Sequence, residues 1–546
     1  MRARSESRLY RQTRLSLETR SQDSTQNTLE ETAIDEDRVP KGDASIPEHK
    51  ANQALEKERD TDVPDYEVRF DADDPDNPKN WSLAYRWYLT MVAGLLVMNA
   101  TFASAAPTGV VPNLIEYFKF SKEVATATIS LFVAGYCVGP LVWGPLSEQI
   151  GRRPIFILTF IVYTGFQVGC ALSRNVASIL IFRFLGGVFA AAPLSNSGAL
   201  MSDIWDAGRR GKALALFTLA PFAGPAIGPL VSGFMGVSGV SWRWVFWVLT
   251  IFAGTCLAII VLTLPETYAP VILVRKARRR RKETRDDHYW APLEKRDMPL
   301  FQRVNSIVAR PFIMLACEPM LLAVTVYMSF VYGCIYLLFV AYPIVFTIGH
   351  HMSEGITGLM YLPILIGGCL GVLLYLLIFN PRYEREMARY APHPVPPEAR
   401  LEICKYAAPI FALSFFWFAW TSYPTVSYWA TLFAGLPLTC ATVWVFLGLN
   451  NYTIDAYLFF AASALSCVTI VRSLFGAAFP LFAAQMYAAL NPRWASTLLG
   501  CLALLMCPIP FVLSHYGPKL RMRSRFAPTL PAPSLSPVVI REDERV

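Results

Sequence analysis

The sequence predicts an all-α polytopic membrane protein whose twelve transmembrane helices form two six-helix halves. Of its residues, 54% are hydrophobic and only 16% are charged, whereas soluble domains carry about 25% charged residues. The apolar residues are gathered into runs of roughly 20, the length that crosses a bilayer as a helix. The sequence contains no series of alternating ten-residue strands, which a transmembrane barrel needs. Helices are therefore expected, because backbone groups in lipid must bond within their own segment.

Twelve apolar runs follow Trp87, and a polar block separates the sixth from the seventh. The runs lie at about 87–107, 122–143, 154–173, 178–200, 213–235 and 243–264, and then at about 319–345, 356–379, 404–423, 427–449, 456–488 and 495–515. This order predicts a disordered cytosolic tail (1–80), an N-terminal half (81–264), a cytosolic central loop (265–315), a C-terminal half (316–518) and a cytosolic C-terminal tail (519–546).

Basic residues concentrate in every second break between the runs. Examples are Arg152, Arg153, Arg209, Arg210, Lys212, the stretch 275–282 and Lys519, Arg521, Arg523 and Arg525. By the positive-inside rule, both termini and the central loop face the cytosol. The net charge of +8 then reflects topology, and we expect a lipid bilayer as the environment and no nucleic-acid partner. We also expect a monomer, in the plasma membrane rather than the vacuolar membrane.

The sequence gives no support for enzymatic chemistry. Its eleven cysteines fall mostly inside apolar runs and form no CxxC pair, which favours inert buried thiols over disulfides or metal ligands. The His350-His351 pair has no neighbouring cluster of Cys or carboxylate residues, and no Walker A, GxSxG or HExxH sequence occurs. We therefore expect neither an enzyme nor an ATP-driven pump, with no metal and no cofactor.

The break after the second run combines glycines with charges of both signs. It begins at Gly144 and reads Gly-Pro-Leu-Ser-Glu-Gln-Ile-Gly-Arg-Arg, ending at Arg153. The predicted members of a conformational ion-pair cluster at the cytosolic surface are Gly144, Glu148, Gly151, Arg152, Arg153 and Asp203. Such a cluster can form ion pairs in one conformation and lose them in another. Ordinary topology charges are the alternative for the arginines.

The fifth run carries prolines on one helix face. Pro221, Pro225 and Pro229 recur every four residues, and Gly224 and Gly228 are also four apart. Each proline removes a backbone donor and bends a helix, while the glycines allow another helix to approach closely. The pattern favours a hinge or seal between helices, and a kinked structural helix is the alternative.

Ionisable and aromatic residues inside the apolar runs are candidates for a transport cavity, because charges in a membrane are costly. Arg183 in the fourth run and Arg472 in the eleventh are the leading cations, although both could serve as structural bonds. The ninth run contains Trp417 and Trp420, which could stack on a ligand or form an interfacial belt. Tyr336 and Val340 in the seventh run are added as candidates by the family resemblance given below.

Several of these segments resemble the major facilitator superfamily. Gly144 to Arg153 is similar to its loop motif between helices two and three, Arg183-Phe-Leu-Gly-Gly to its fourth-helix motif, and Gly224-Pro-Ala-Ile-Gly-Pro to the fifth-helix motif of its drug:proton antiporters. Segments that resemble the fungal twelve-helix members are Asn77-Pro-Lys-Asn-Trp-Ser, Trp242-Arg-Trp-Val-Phe-Trp, Pro265-Glu-Thr-Tyr-Ala-Pro, Tyr336-Leu-Leu-Phe and Arg472-Ser-Leu-Phe-Gly-Ala-Ala-Phe-Pro. The match covers 77–526.

This resemblance implies two halves around a cavity that opens alternately to each side. It implies export of small organic molecules such as drugs, toxins or secondary metabolites, driven by protons entering the cytosol, with Arg183 associated with proton coupling. Glu148 stands where the superfamily usually has Asp, and Gln149 where a basic residue is common. Val340 stands where many relatives carry Glu, which weakens a polyamine substrate and favours a neutral or lipophilic one.

Other functions remain open on the same fold, because a fold alone does not set the direction of transport. A facilitator, an uptake symporter, a polyamine exporter and a nutrient receptor without flux are the alternatives. The proline-glycine face of the fifth run favours export.

Overall fold

The computed structural model describes residues 66–71, 73–294, 300–391 and 393–527, and these are almost entirely helical. Most of the predicted N-terminal tail and residues 528–546 of the C-terminal tail lie outside the described residues. Eleven helical stretches are long and apolar enough to cross a membrane. The first ten, α1 to α10, are Leu83–Phe118, Lys122–Ile150, Arg152–Ala171, Val176–Ile204, Gly211–Val237, Arg243–Thr263, Pro319–Gly349, Glu354–Tyr390, Pro397–Thr421 and Tyr428–Tyr457.

The eleventh stretch, Ala461–Arg523, holds two membrane-spanning helices. It is 63 residues long, and Asn491 interrupts it with φ 60° and ψ 156°, far from helical values. Pro492 follows and cannot donate a backbone hydrogen bond. The break gives α11 (461–490) and α12 (492–523), each roughly 45 Å long at 1.5 Å per residue. This division confirms the predicted twelve helices.

Within the N-terminal half, glycines bring the helices into backbone contact. A Cβ on Gly135 of α2 would lie 2.5 Å from the amide nitrogen of Val188 on α4, and one on Gly139 would lie 2.6 Å from the Val188 carbonyl oxygen. The indole of Trp143 donates to the same carbonyl at 2.8 Å. Small residues at such spacing let membrane helices pack through van der Waals contact, which replaces the missing hydrophobic force between them.

The two halves meet along two helix pairs. On one side α2 packs against α11, where a Cβ on Gly476 would lie 3.2 Å from Cγ1 of Val133. Where α2 begins and α11 ends, the Gln485 amide donates to the Glu123 carboxylate at 3.3 Å. On the other side α5 packs against α8.

The chain before α1 packs against a helix in the central loop, Ala269–Thr284. The Val68 amide donates to the Trp290 carbonyl at 2.9 Å, and the buried Asp74 carboxylate accepts from Lys276. Burial raises the pKa of Asp74, but hydrogen bonds from Lys276 and the Asp76 amide oppose it, so the net pKa lies below the usual 3.8. The ion pair between Asp74 and Lys276 thus joins the chain before α1 to the basic loop helix.

Candidate functional site

The turn between α2 and α3 positions the predicted ion-pair cluster. Gly151 has φ +107°, a conformation that residues with a Cβ rarely adopt. A Cβ there would also lie 2.7 Å from the carboxyl carbon of Glu266. Glycine is thus required twice, for the backbone turn and for the close approach of a carboxylate.

Arg152 is the centre of this cluster. It is 4% exposed, and its Nε donates to Asp203 Oδ2 on α4 at 3.2 Å. Its guanidinium also lies over the Tyr268 ring, with Cζ 4.7 Å from the centroid. The structure therefore brings together Arg152 and Asp203, two of the residues predicted for the cluster, and ties the start of α3 to the end of α4.

Glu266, immediately after α6, is the third member and was not among the predicted site residues. Its Oε1 accepts from the amides of Arg152 at 2.8 Å, Thr267 at 3.1 Å and Tyr268 at 3.0 Å. The signal for it in the sequence is the segment Pro265-Glu-Thr-Tyr-Ala-Pro, one of those that resemble the fungal twelve-helix members. Arg152, Asp203 and Glu266 lie on the face that the basic loops predict to be cytosolic, and they are called the cytosolic latch below.

The remaining predicted members occupy different surroundings. Within the described residues, Glu148 forms no ion pair or side-chain hydrogen bond. Arg153 donates to the Val261 carbonyl at 2.9 Å, and a Cβ on Gly144 would meet no atom within 4 Å. Gly144, Glu148 and Arg153 therefore lie beside the latch without joining its ion pair.

The proline-glycine face of α5 is packed on α1 at its middle. A Cβ on Gly224 would lie 2.5 Å from the Phe102 amide nitrogen, and one on Gly228 would lie 3.0 Å from the Ala106 amide nitrogen. Pro225 and Pro229 are buried, Pro221 is half-buried, and the helix runs unbroken over Ala220–Val237.

At its C-terminal end, which the loop charges predict to face outward, α5 meets the start of α8, and we call this contact the outer seam. A Cβ on Gly233 would lie 2.5 Å from the Glu354 carbonyl oxygen, and one on Gly358 would lie 2.8 Å from the Pro229 carbonyl oxygen. The cytosolic ends of the same helices touch through Lys212 and Glu384, whose side chains are 58% and 43% exposed and 3.3 Å apart. The halves are therefore joined by backbone packing outside and by a solvated ion pair inside.

Arg183 is fully buried on α4. Its guanidinium donates to three carbonyls, those of Thr128 at 2.7 Å, Ala103 at 2.9 Å and Ser104 at 3.3 Å. Its Cζ lies 4.1 Å from the ring centroid of Phe132. Arg183 thus links α1, α2 and α4 through backbone acceptors.

Next to Arg183, polar and aromatic side chains of both halves meet. The hydroxyls of Ser104 on α1 and Tyr336 on α7 lie 2.9 Å apart, and Tyr332 donates to Tyr336 at 3.4 Å. Arg472 on α11 lies against the rings of Tyr332 and Phe446, with Cζ 4.7 and 5.3 Å from their centroids. These residues, Ser104, Tyr332, Tyr336, Phe446 and Arg472, are called the central cluster.

The other cavity candidates lie apart from the central cluster or at its edge. Trp417 and Trp420 are 46% and 50% exposed, and the Arg493 guanidinium covers Trp420 at 3.7 Å. Their exposure at the outer end of α9 is typical of an interfacial belt, the alternative interpretation of this aromatic run. Val340 is half-buried one turn beyond Tyr336.

The C-terminal half carries its own ion pairs where α9 begins and α10 ends. Arg400 at the start of α9 donates to Asp455 at 2.9 Å, and Arg521 binds Glu398 through two hydrogen bonds of 2.9 Å. Asp455 lies in the last turn of α10.

Sequence comparisons agree with this architecture. Residues 92–479 match the family model of the Major Facilitator Superfamily. The chain is 39% identical to the multidrug transporter mdrA of Aspergillus fumigatus, over 86% of this chain and 77% of that one. It is also 39% identical to the efflux pump FUB11 of Gibberella moniliformis, over 85% and 78%.

A third relative is the citrinin biosynthesis cluster transporter mrr1 of Monascus ruber, at 38% identity over 86% of this chain and 94% of that one. Among solved structures, the proton:xylose symporter XylE, from E. coli, aligns with a TM-score of 0.55 at 17% identity, over 80% of this chain and 96% of that one. This last likeness shows the fold alone. On its sequence match and its twelve-helix architecture, the chain belongs to the major facilitator superfamily.

Proposed function

We propose that the protein exports small organic molecules, such as drugs, toxins or secondary metabolites, by alternating access coupled to proton entry. Relatives that match over most of their length are named as multidrug transporters and efflux pumps. A fold with two halves meeting at a central cluster supports opening to one side at a time. The cargo enters from the cytosol and leaves through the outer face.

The observation that carries the proposal is the contrast between the two ends of the α5–α8 pair. The outer seam is closed by backbone contacts at Gly233 and Gly358, whereas the cytosolic end is joined by exposed Lys212 and Glu384. Exposed ion pairs contribute only about 0–1 kcal/mol. The cytosolic end therefore opens more readily, which suits a protein that collects its cargo from the cytosol.

Arg183 is our candidate for proton coupling. Arginine keeps its proton in proteins, so it acts by positioning other groups. Its bonds hold the Ala103 and Ser104 carbonyls on α1, beside the hydroxyl bond from Ser104 to Tyr336 that joins the halves. A change in protonation in this region would thereby alter contact between the halves.

The test uses cells that lack their own exporters, loaded with a lipophilic fluorescent dye. We expect faster dye loss in cells expressing the chain, and collapse of the proton gradient by a protonophore should remove the difference. Efflux that survives the protonophore would support a facilitator instead, and inward accumulation would support an uptake symporter.

Arg183→Ala should abolish this efflux while leaving the protein in the membrane. The substitution removes three hydrogen bonds to carbonyls, each of a charged group and worth about 1.5–3 kcal/mol. A fluorescent fusion checks the membrane level of the variant, and wild-type efflux in Arg183→Ala would contradict the coupling role.

We further propose a monomer in the plasma membrane with both termini cytosolic. The bond between Asp74 and Lys276 and the bond from the Arg525 amide to Glu318 at 3.0 Å support this orientation. They bring the chain before α1 to the central loop, and the chain after α12 to the start of α7. Protease accessibility of terminal tags in sealed cells tests it.

A further inference from the structure

The interior of the bundle is electropositive. Within the twelve described spans, every acidic residue stands within about two turns of a span's end. These are Glu116, Glu123, Glu148, Asp203, Glu354, Glu384, Glu386, Glu398, Glu402 and Asp455. Arg472, in contrast, lies about three turns into α11, which is roughly 16 Å along the helix and near the middle of a hydrocarbon layer of about 30 Å.

Arg472 differs from Arg183 in that its charge is not satisfied by the protein. The Nε of Arg472 is buried and has no hydrogen-bond partner. Within the described part of the chain, no hydrogen bond or ion pair forms at its terminal nitrogens either. The Arg183 guanidinium, by contrast, donates hydrogen bonds to three backbone carbonyls. An unpaired cation at membrane depth is costly and marks a site for an anionic group.

Two aromatic rings of the C-terminal half lie against this cation, and a third ring, from the N-terminal half, packs on one of them. Tyr332 and Phe446 lie against the guanidinium, and Phe222 of α5 meets Phe446 edge-on, with ring centroids 6.1 Å apart. Flat apolar groups pack well on such rings. A ligand at this place would contact α5 of one half and α7, α10 and α11 of the other.

We propose, resting on the export function above, that the cargo is an organic anion, a carboxylate attached to a flat apolar body. The planar guanidinium of Arg472 can bind a carboxylate through two parallel hydrogen bonds. The flat apolar part of the cargo then packs against the rings of Tyr332, Phe446 and Phe222. A cationic cargo is rejected by the same charge, and Val340 offers no acid to offset it. The sequence alone favoured a neutral or lipophilic cargo.

The test compares three probes that share one fluorophore and differ in charge: dansylglycine (an anion), dansylamide (neutral) and dansylcadaverine (a cation). Binding to the full chain in lipid nanodiscs is followed by dansyl emission at neutral pH. We expect dansylglycine to bind at least about 10-fold more tightly than the other two, which is the scale of one charge-assisted hydrogen bond.

Arg472→Gln should remove this preference, and Arg472→Lys should keep part of it. Arg493→Gln is the matched control, because it removes the same charge from the same half at the outer surface beside Trp420, and it should leave the preference unchanged. Equal binding of the three probes, preference for the cation, or an equal loss in Arg493→Gln would overturn the proposal. The ranking in the unmodified protein decides the question even if Arg472→Gln does not fold.

Flux of the same probes from proteoliposomes with a proton gradient separates this proposal from the export function. Gradient-driven export of dansylamide or dansylcadaverine without selection for dansylglycine would overturn the anion site and leave export standing. Selective binding of dansylglycine with no gradient-driven flux of any probe would overturn export and leave the anion site standing.

Discussion

At the scale of single residues, the cytosolic latch is built from groups that are distant in sequence. Arg152 follows a glycine turn, Asp203 ends α4 and Glu266 follows α6. The Glu266 carboxylate accepts three amides but lies 4.0 Å from Arg275, too far for a hydrogen bond. Its charge therefore acts mainly on the backbone around Arg152, and it holds α3 to the end of α6.

Glu266→Gln should weaken the latch without changing its shape. The amide keeps one acceptor oxygen but loses the charge that strengthens the three hydrogen bonds, so we expect transport to fall by about 10-fold, equivalent to roughly 1.4 kcal/mol. Initial rates of dye efflux at equal membrane levels measure the effect.

Glu148→Gln is the control for Glu266→Gln, because Glu148 has the same side chain on the same face and forms no ion pair in the described chain. We expect its effect to stay below about threefold. A larger loss in Glu148→Gln than in Glu266→Gln would contradict the assignment of the latch.

The latch also shows which contacts between residues could be predicted from the sequence. Arg152 and Asp203 could be predicted as partners because both were charges at the cytosolic end of an apolar run. Glu266 could not be placed with them, because 114 residues separate it from Arg152 and only the tertiary fold closes that distance. Trp417 and Trp420 were cavity candidates that lie away from the central cluster, because an aromatic run does not indicate which face of its helix packs against the bundle.

At the scale of helices, glycines allow neighbouring helices to approach closely, and prolines contribute to the packed face of α5. α5 carries two prolines inside its regular helix. The helix stays continuous because lipid offers its backbone groups no alternative hydrogen-bond partners. Close packing of Gly224 and Gly228 on α1 stabilises it from one side. The proline-glycine pattern thus produces a smooth, closely packed helix surface.

Gly224→Leu should separate α5 from α1. Its Cβ alone would lie 2.5 Å from the Phe102 amide nitrogen, so the backbone must move, at a cost of about 1–3 kcal/mol or more. We expect a lower melting temperature of the purified protein and loss of efflux. Gly254→Leu on α6 is the control, because no atom lies within 4 Å of its Cβ; similar melting temperatures for the two variants would contradict tight α1–α5 packing.

Helix number could be predicted from hydropathy, whereas helix ends could not. The run predicted at 427–449 is the core of α10, which continues to Tyr457. Its polar end stays helical because Tyr452 and Thr453 are buried and Asp455 pairs with Arg400. Hydropathy detects contact with lipid, so it misses helical turns that are covered by protein.

At the scale of the whole molecule, transport requires that the halves separate at one end while they hold at the other. The two ends differ in chemistry: backbone contact at the outer seam, and solvated charges at Lys212 and Glu384. Steric contact is insensitive to salt, whereas an exposed ion pair is screened by it. We therefore expect the two halves to separate first at the cytosolic end of the α5–α8 pair.

This difference predicts that substitutions at the two ends reduce export by unequal amounts. Lys212→Gln removes an exposed ion pair worth at most about 1 kcal/mol, so efflux should change by less than about fivefold. Gly358→Leu should abolish gradient-driven export, because its Cβ would lie 2.8 Å from Pro229 O and Leu230 Cα and would hold the outer seam apart. Uptake of dye into everted vesicles, where export from the cytosolic face fills the lumen, measures both variants at matched protein levels. If Lys212→Gln proved as damaging as Gly358→Leu, the cytosolic contact would be a true gate and not the weaker end of the pair.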